Sequence, residues 1–299
     1  MRVALVTARA ARGLDEDEPP LRMALQSAGC EAVTTEWDDP GVDWASYDLV
    51  LLRSAWDYAE RLSEFLAWAQ RTSALTPVQN PLPVVRWNTD KHYLAELSRS
   101  GIAIVPSRFL EPGTDPVREL NEFLAAHEQA EIVIKPAVGA GSRDAQRHRR
   151  THKDAPVAHA RRLLEANRSV LLQPYLRRVE QDGETALMFF EGRFSHAIRK
   201  GPLLPAGGAA TTTLFATETI QPRTPASDEL KLAERIIAAI PHGALLYARV
   251  DLIRDDQGAP CLLELELTEP SLFLSHAAGS AERLTVALLR RYPPRLART

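Results

Sequence analysis

The chain has 299 residues, 45% of them hydrophobic, and its 36 basic and 39 acidic side chains leave a net charge of −3. At roughly 150 residues per domain this length suggests about two domains with enough apolar material for sizeable cores, which excludes a chain that is mostly disordered. The charge balance lacks the basic excess that neutralises a phosphate backbone, so no nucleic-acid partner is expected and any anion site must be local.

In chain order, residues 4–8 form an apolar run that suits a buried strand and is too short for a signal-peptide core. An Arg- and Asp-rich loop covers 9–18, Pro19-Pro20 open a helix, and a second strand spans 31–37. Residues 49–53 read as a third buried strand leading into an amphipathic helix over 58–71. Such alternation predicts a parallel sheet with ligands at the carboxyl ends of its strands, where Arg9 and Arg53-Ser54-Ala55-Trp56-Asp57-Tyr58 fall. Pro77, Pro81 and Pro83 interrupt both periodicities and place a domain boundary near residue 85. Beyond it the pattern predicts helices at about 89–100 and 116–127, a buried strand over 132–136 and the loop Gly139-Ala140-Gly141-Ser142. A helix over 154–167 and strands over 170–175, 186–191 and 194–200 follow, the last two joined at Gly192. A helix over 227–239, a hairpin of 245–254 with 261–268, and a helix over 279–291 complete the chain. His148, His152 and His159 lack metal-ligand spacing and read as solvated. Gly207-Gly208 with Thr211-Thr212-Thr213 fits a loop over a site or an ordinary surface loop. Cys30 and Cys261 form no CxxC pair and suit buried positions in a reducing, cytoplasmic protein. No window reaches about 18 apolar residues, so no membrane partner is expected.

The hairpin carries the clearest chemistry. In Cys261-Leu262-Leu263-Glu264-Leu265-Glu266-Leu267 a period of two sets Glu264 and Glu266 on one face and Leu263, Leu265 and Leu267 on the other. With residues 255–258 as the turn, Arg254 opposes Ala259 and 251 pairs with 262, so Asp251 joins the acidic face. Converging carboxylates raise one another's pKa unless a cation sits among them, and oxygen-only ligands suit magnesium or manganese and a phosphate-bearing partner. The same pattern also fits a solvent-facing strand whose acidic face keeps an edge soluble. Lys135 ends a strand just before the small Gly-rich loop, whose backbone N–H groups could approach phosphate oxygens. The absence of GxxxxGK[ST] and of GxGxxG excludes a P-loop and argues against a dinucleotide site. Lys91, at a helix start, fits either a phosphate ligand or a solvated first-turn lysine. In Gln173-Pro174-Tyr175-Leu176 the proline leaves backbone groups free to meet a planar heterocycle, with Glu180 within reach of ribose hydroxyls; strand, polar turn and strand is the plainer alternative.

Taken in order, Lys91, Ile134-Lys135-Pro136 with its loop, Gln173-Pro174-Tyr175-Leu176 with Glu180, Gly183-Glu184 through Ala197-Ile198-Arg199, Asp251 and Glu264-Leu265-Glu266 resemble the ATP-grasp superfamily over about 85–270. The preceding unit resembles the domain found before it in that superfamily. The resemblance implies an α/β fold with an N-terminal open α/β domain at 1–85 and two α+β subdomains, 86–172 and 173–299, enclosing ATP. It implies that Lys91 and Lys135 hold the α- and β-phosphates while the loop through Gly141 and Ser142 closes over them. Gln173, Tyr175 and Leu176 would meet adenine and Glu180 the ribose. Asp251, Glu264 and Glu266 would ligate magnesium or manganese, and Arg199 would face the γ-phosphate and an acyl phosphate. Glu266 stands where the peptide-ligase branch usually has Asn.

Over the whole chain, including the opening Arg2-Val3-Ala4-Leu5-Val6-Thr7-Ala8-Arg9, the sequence resembles the cyclo-ligase branch that serves D-cycloserine biosynthesis. That resemblance implies O-ureido-D-serine as substrate. Arg9, Asp17, Arg53, Trp56, Asp57 and Glu184 are the expected substrate-side residues, an arginine for a carboxylate and an aspartate for an ammonium suiting a small amino acid; an Arg53–Asp57 ion pair with Trp56 as packing is the alternative. An intermolecular carboxylate-amine ligase would use the same ATP site with a second acceptor pocket, and a non-catalytic nucleotide-binding module would tolerate losing the carboxylates. A homodimer is the default assembly.

Overall fold

Three sheets organise the computed structural model, which describes residues 1–204, 219–243 and 245–293; the expected polar loop at 207–213 lies outside them. The first sheet is parallel, with strands β1 (Arg2–Thr7), β2 (Glu31–Glu36), β3 (Leu49–Ser54) and β4 (Val78–Gln79) in the order β2-β1-β3-β4. Helices cover both its faces, so β1 and β3 are apolar almost throughout. Val3, Leu5, Leu49 and Leu51 pack towards helix α1 (Glu18–Ser27), while Ala4, Val6, Val50 and Leu52 pack with Trp37 and with Phe65 and Trp68 of α2 (Leu62–Ser73).

The boundary expected near residue 85 falls inside a helix, α3 (Leu82–Asn88), which α4 (Tyr93–Arg99) follows. Pro81 caps α3 and Pro83 occupies its first turn, where no N–H partner is lost, so the proline run starts a helix instead of marking a linker. The second sheet is antiparallel. It comprises β5 (Arg108–Leu110), β6 (Glu131–Pro136), β7 (Gln146–Arg149) and β8 (Val170–Pro174) in the order β5-β8-β6-β7, with α5 (Pro116–Ala126) and α6 (Asp154–Glu165) on one face. Ile132, Ile134 and Leu172 point at those helices; the intervening residues, Val133, Lys135 and Gln173, face the other way, into the cleft described below. His148 and His159 are buried and joined by a 3.1 Å hydrogen bond between Nε2 and Nδ1, contrary to the expected solvation, because β7 pairs with Ile132 and tucks its edge under α6.

After α7 (Val179–Asp182) comes the third sheet, also antiparallel. Its strands are β9 (Glu184–Phe190), β10 (Arg193–Lys200), β11 (Ile220–Arg223), β12 (Tyr247–Arg254) and β13 (Pro260–Glu266), in the order β11-β10-β9-β12-β13. Helix α8 (Ser227–Ala239) packs Leu232, Ala233 and Ile236 against Leu187, Phe189, Ala248 and Val250. Helix α9 (Ser280–Arg291) packs Leu284 and Leu288 in one core with Ala186 and Met188 of this sheet and Leu5 and Leu25 of the first unit, tying the two together.

The hairpin register differs from the expected one. Its turn has five residues, so Arg254 opposes Pro260 and Leu252 opposes Leu262; a bulge then follows and Asp251 opposes Glu264. The longer turn would have set Glu264 on the wrong side, and the bulge, which leaves Leu263 as the extra residue, restores it. Leu263 therefore leaves the apolar face and borders the cleft.

Candidate active site

A cleft of about 440 Å³ opens between the strand ends of the first sheet and the facing sides of the other two. Lys91 is only 6% exposed, which rules out a solvated first-turn lysine. Its ammonium donates to the Gly139 carbonyl (2.8 Å) and pairs with one oxygen of Glu264 at 3.0 Å, while Lys135 approaches the other at 3.8 Å. The Lys91 backbone N–H donates to Ala137 O at 3.0 Å and fastens the α3–α4 connection to the Gly-rich loop. Within that loop Gly141 has φ +62°, a left-handed conformation that glycine takes without a Cβ penalty, and Ser142 follows at φ +60°. Both border the cleft, beside Gln173, Tyr175 and Leu176. Gln173 Nε2 donates to Ser107 Oγ at 2.9 Å. Val105, Leu176, Ile253 and Leu263 make an apolar wall there suited to a flat heterocycle.

On the acidic face, Arg249 and Asp251 are two residues apart on β12 and so point the same way. Arg249 Nε and Nη2 each donate to Asp251 at 2.9 Å, Nη1 donates to Ser271 O at 3.1 Å, and Nη2 also meets Glu266. Lys200 bridges Glu184 and Asp251, the latter at 3.0 Å. Burial disfavours every one of these charges; at Asp251 the Arg249 and Lys200 cations outweigh it and hold the carboxyl well below the usual range. At Glu264 Lys91 and Lys135 do the same. Glu184 and Glu266 are instead pushed up, by burial first and then by neighbouring Asp251, against the lowering pull of Lys200 on the one and Arg249 on the other. Burial pulls Lys135 down.

Among the described residues no three Asp, Glu, His or Cys side chains stand together as a finished metal cage. The donor set nevertheless fits a hard divalent ion: Asp251, Glu264 and Glu266 offer only oxygen from one sheet face, and the lysines now holding Glu264 are the groups a polyphosphate would attract.

Several expected site residues lie elsewhere. Arg9 has an 82% exposed side chain paired with Glu36, outside the cleft, because the chain turns outward into a short 3₁₀ turn after β1. Asp57 accepts from Trp37 Nε1 at 2.8 Å and faces Arg61, so no Arg53–Asp57 pair forms. Arg53 is 2% exposed beneath the cleft, paired with Asp17 at 3.2 Å and Asp15 at 3.7 Å. Asp17 does border the cleft, yet its carboxylate is occupied by the backbone N–H groups of Leu272, Phe273 and Leu274. Trp56 and Glu184 border it as expected. Arg199 points to the opposite side of β10 from Lys200 and donates to the carbonyls of Asp182 (2.9 Å) and Gln181 (3.0 Å). A Cβ at Gly183 would meet Arg199 Nε at 2.7 Å, so glycine is what lets the guanidinium lie there. Glu180 accepts from Tyr175 Oη (2.7 Å) and Arg147 Nη1 (2.6 Å), and Arg147 lies 3.6 Å over the Tyr175 ring. It stands behind Tyr175 instead of in the cleft. The sequence reading missed Arg249 and Lys200. Arg249 was legible from its two-residue spacing to Asp251, whereas choosing Lys200 over Arg199 needs the parity of β10, which only its pairing with β9 sets.

Comparison with known proteins agrees with this geometry. Residues 113–275 match the family model of the prokaryotic glutathione synthetase ATP-grasp domain, and residues 3–80 match that of the N-terminal domain of D-cycloserine synthetase DcsG. Fold and site together define an ATP-grasp protein. Cycloserine biosynthesis protein DcsG of Streptomyces lavendulae is 40% identical over 299 residues, 98% of this chain and 99% of that protein. The crystal structure of D-cycloserine synthetase DcsG superposes with a TM-score of 0.90 at 37% identity, covering 97% of this chain and 99% of its own. The chain belongs to the DcsG family. The RimK domain ATP-grasp protein of Sphaerobacter thermophilus, at 19% identity and a TM-score of 0.67 over 97% of this chain and 100% of that one, shares the fold.

Proposed function

We propose that the protein is an ATP-dependent cyclo-ligase of cycloserine biosynthesis that phosphorylates the carboxylate of O-ureido-D-serine and closes it to D-cycloserine. Whole-length likeness to DcsG supports the reaction. The observation that carries the chemistry is Glu264, gripped by Lys91 and Lys135 and directly opposite Asp251.

Lys91, Lys135 and the loop at Gly141 and Ser142 take the phosphates; Gln173, Tyr175 and Leu176 take adenine, with Glu180 orienting Tyr175. Magnesium bound with ATP supplies charge neutralisation, and Asp251, Glu264 and Glu266 are the residues that would hold it. A substrate carboxylate oxygen attacks the γ-phosphorus, the bond to the β-phosphate oxygen breaks, and ADP leaves. Arg249, in place of Arg199, is the guanidinium positioned to stabilise the charge that develops at the acyl group. The aminooxy-derived nitrogen then attacks the acyl carbon and expels phosphate, and water releases the carbamoyl carbon as carbon dioxide and ammonia. Attack within one molecule needs no second amine pocket and gains a large effective molarity. The divisions expected at 85 and 172 fall inside α3 and β8, so on the separation of the three sheets we place them after β4 (Val78–Gln79) and after β8 (Val170–Pro174). Cytoplasmic residence agrees with two free buried cysteines and with the absence, among the described residues, of any helix long and apolar enough to cross a membrane.

The test is ADP release and product mass with ATP, magnesium and O-ureido-D-serine as the only added organic substrate. ADP with a product of the mass of D-cycloserine is expected. A requirement for a second amine would overturn ring closure, and silence with every amino acid tried would overturn the ligase.

A further inference from the structure

Glu269 lies three residues beyond Glu266, where the chain leaves β13. It borders the cleft and is 8% exposed, yet among the described residues its carboxylate has neither a hydrogen bond nor an ion pair. Its backbone carbonyl accepts from Trp56 Nε1 at 3.2 Å, which holds this stretch of chain in place. Apart from the exposed Glu16, the other acidic groups of the cleft wall have cations: Glu264 has Lys91 and Lys135, Asp251 and Glu266 share Arg249, Glu184 has Lys200, and Asp15 and Asp17 share Arg53. Burial, with Glu266 and Glu264 adding to it, pushes the Glu269 carboxyl well above the usual range, and a ligand cation placed against it would restore its charge and supply the missing partner.

The position narrows which cation. Glu269 sits on the Trp56 side of the cleft, and it is the strongest charged neighbour of the buried Tyr58 hydroxyl. Arg249, the guanidinium for the acyl group, donates to Ser271 O two residues away. In an α-amino acid one carbon separates the reacting carboxylate from the ammonium, so the ammonium must bind beside the acyl position, where Glu269 stands. Asp17, the sequence's candidate for this role, is already filled by three backbone N–H groups and Arg53. We infer that Glu269 binds the primary ammonium of the amino-acid substrate and restricts the cleft to substrates with a free α-amino group. The inference rests on the ligase reading above.

The experiment compares O-ureido-D-serine with its des-amino analogue, 3-(ureidooxy)propanoate, by calorimetry on the full chain with wild type, Glu269→Gln and Glu269→Asp. Circular dichroism and the Kd for magnesium-ATP, unchanged in both variants, report folding and the nucleotide site. Wild type is expected to prefer the amino form at least tenfold, Glu269→Gln to lose that preference, and Glu269→Asp to keep part of it. An unaltered preference in Glu269→Gln, or none in wild type, overturns the assignment. If wild type does not bind O-ureido-D-serine, the cyclo-ligase reading fails separately. D-Serine against 3-hydroxypropanoate then decides Glu269 by the same criteria.

Discussion

Asp17 shows what one buried side chain can organise. Its carboxylate accepts from the N–H groups of Phe273 (3.2 Å) and Leu274 (2.6 Å) as well as Leu272, and from Arg53 Nη2 at 3.2 Å. It therefore fixes the segment carrying Ser271 and Phe273 along the cleft, a positioning role in place of the substrate contact expected of it. Asp17→Asn leaves the buried Arg53 with the Pro270 carbonyl at 3.1 Å and the more distant Asp15 carboxylate at 3.7 Å, so a loss of about 3 kcal/mol, the low end for a broken buried pair, is expected in urea unfolding. Arg9→Ala, whose side chain is 82% exposed, should leave the unfolding midpoint where it is.

At the scale of elements, the bulge in the terminal hairpin separates two neighbouring leucines by role. Leu265 is 1% exposed in the core shared with α8, whereas Leu263 borders the apolar wall of the cleft. Leu265→Ala should cost about 2–5 kcal/mol in denaturant unfolding. Leu263→Ala should cost less and instead raise the KM for ATP. The β7–α6 contact makes a different prediction. Burial, with His148 beside it, brings His159 down to about 4, and His148 is lowered too. In the unfolded chain both histidines take up protons near pH 6.5, so folding stability contributed by the neutral pair is full above that pH and is lost as pH falls towards about 4. The urea midpoint should drop between pH 7 and 4.5, and drop less in His159→Gln; identical slopes would remove the histidines from the explanation.

For the whole molecule, the cleft draws walls from all three sheets, so a ligand filling it bridges units that otherwise meet through the core around α9 and through the one that packs Leu171 and the α3–α4 segment on the third sheet. Magnesium-ATP at a hundred times its Kd should add about 2.7 kcal/mol of stability and raise Tm by several degrees. Chelation of the metal should remove most of that rise, as should Lys135→Ala, whose ammonium stands 3.8 Å from Glu264. An undiminished shift with chelator present would take the metal away from Asp251, Glu264 and Glu266.

Periodicity alone determined the helices from 116 and 227, the buried strands 132–136 and 170–175 within a residue or two, and the acidic face of the last hairpin, because local hydrophobic patterns report burial directly. The ordered lysines and carboxylates likewise pointed to nucleotide chemistry before any packing was known. Tertiary structure decided the rest. Short strands such as β5 and β7 carry too few apolar residues to signal themselves and exist by pairing with β8 and β6. The compensating turn and bulge left Glu264 facing Asp251 for a reason the chain's pattern does not contain, namely which residue the sheet leaves unpaired. The choice of Lys200 over Arg199 and of Asp17 as an anchor depends on contacts between segments tens to hundreds of residues apart, and a linear pattern carries no record of those distances.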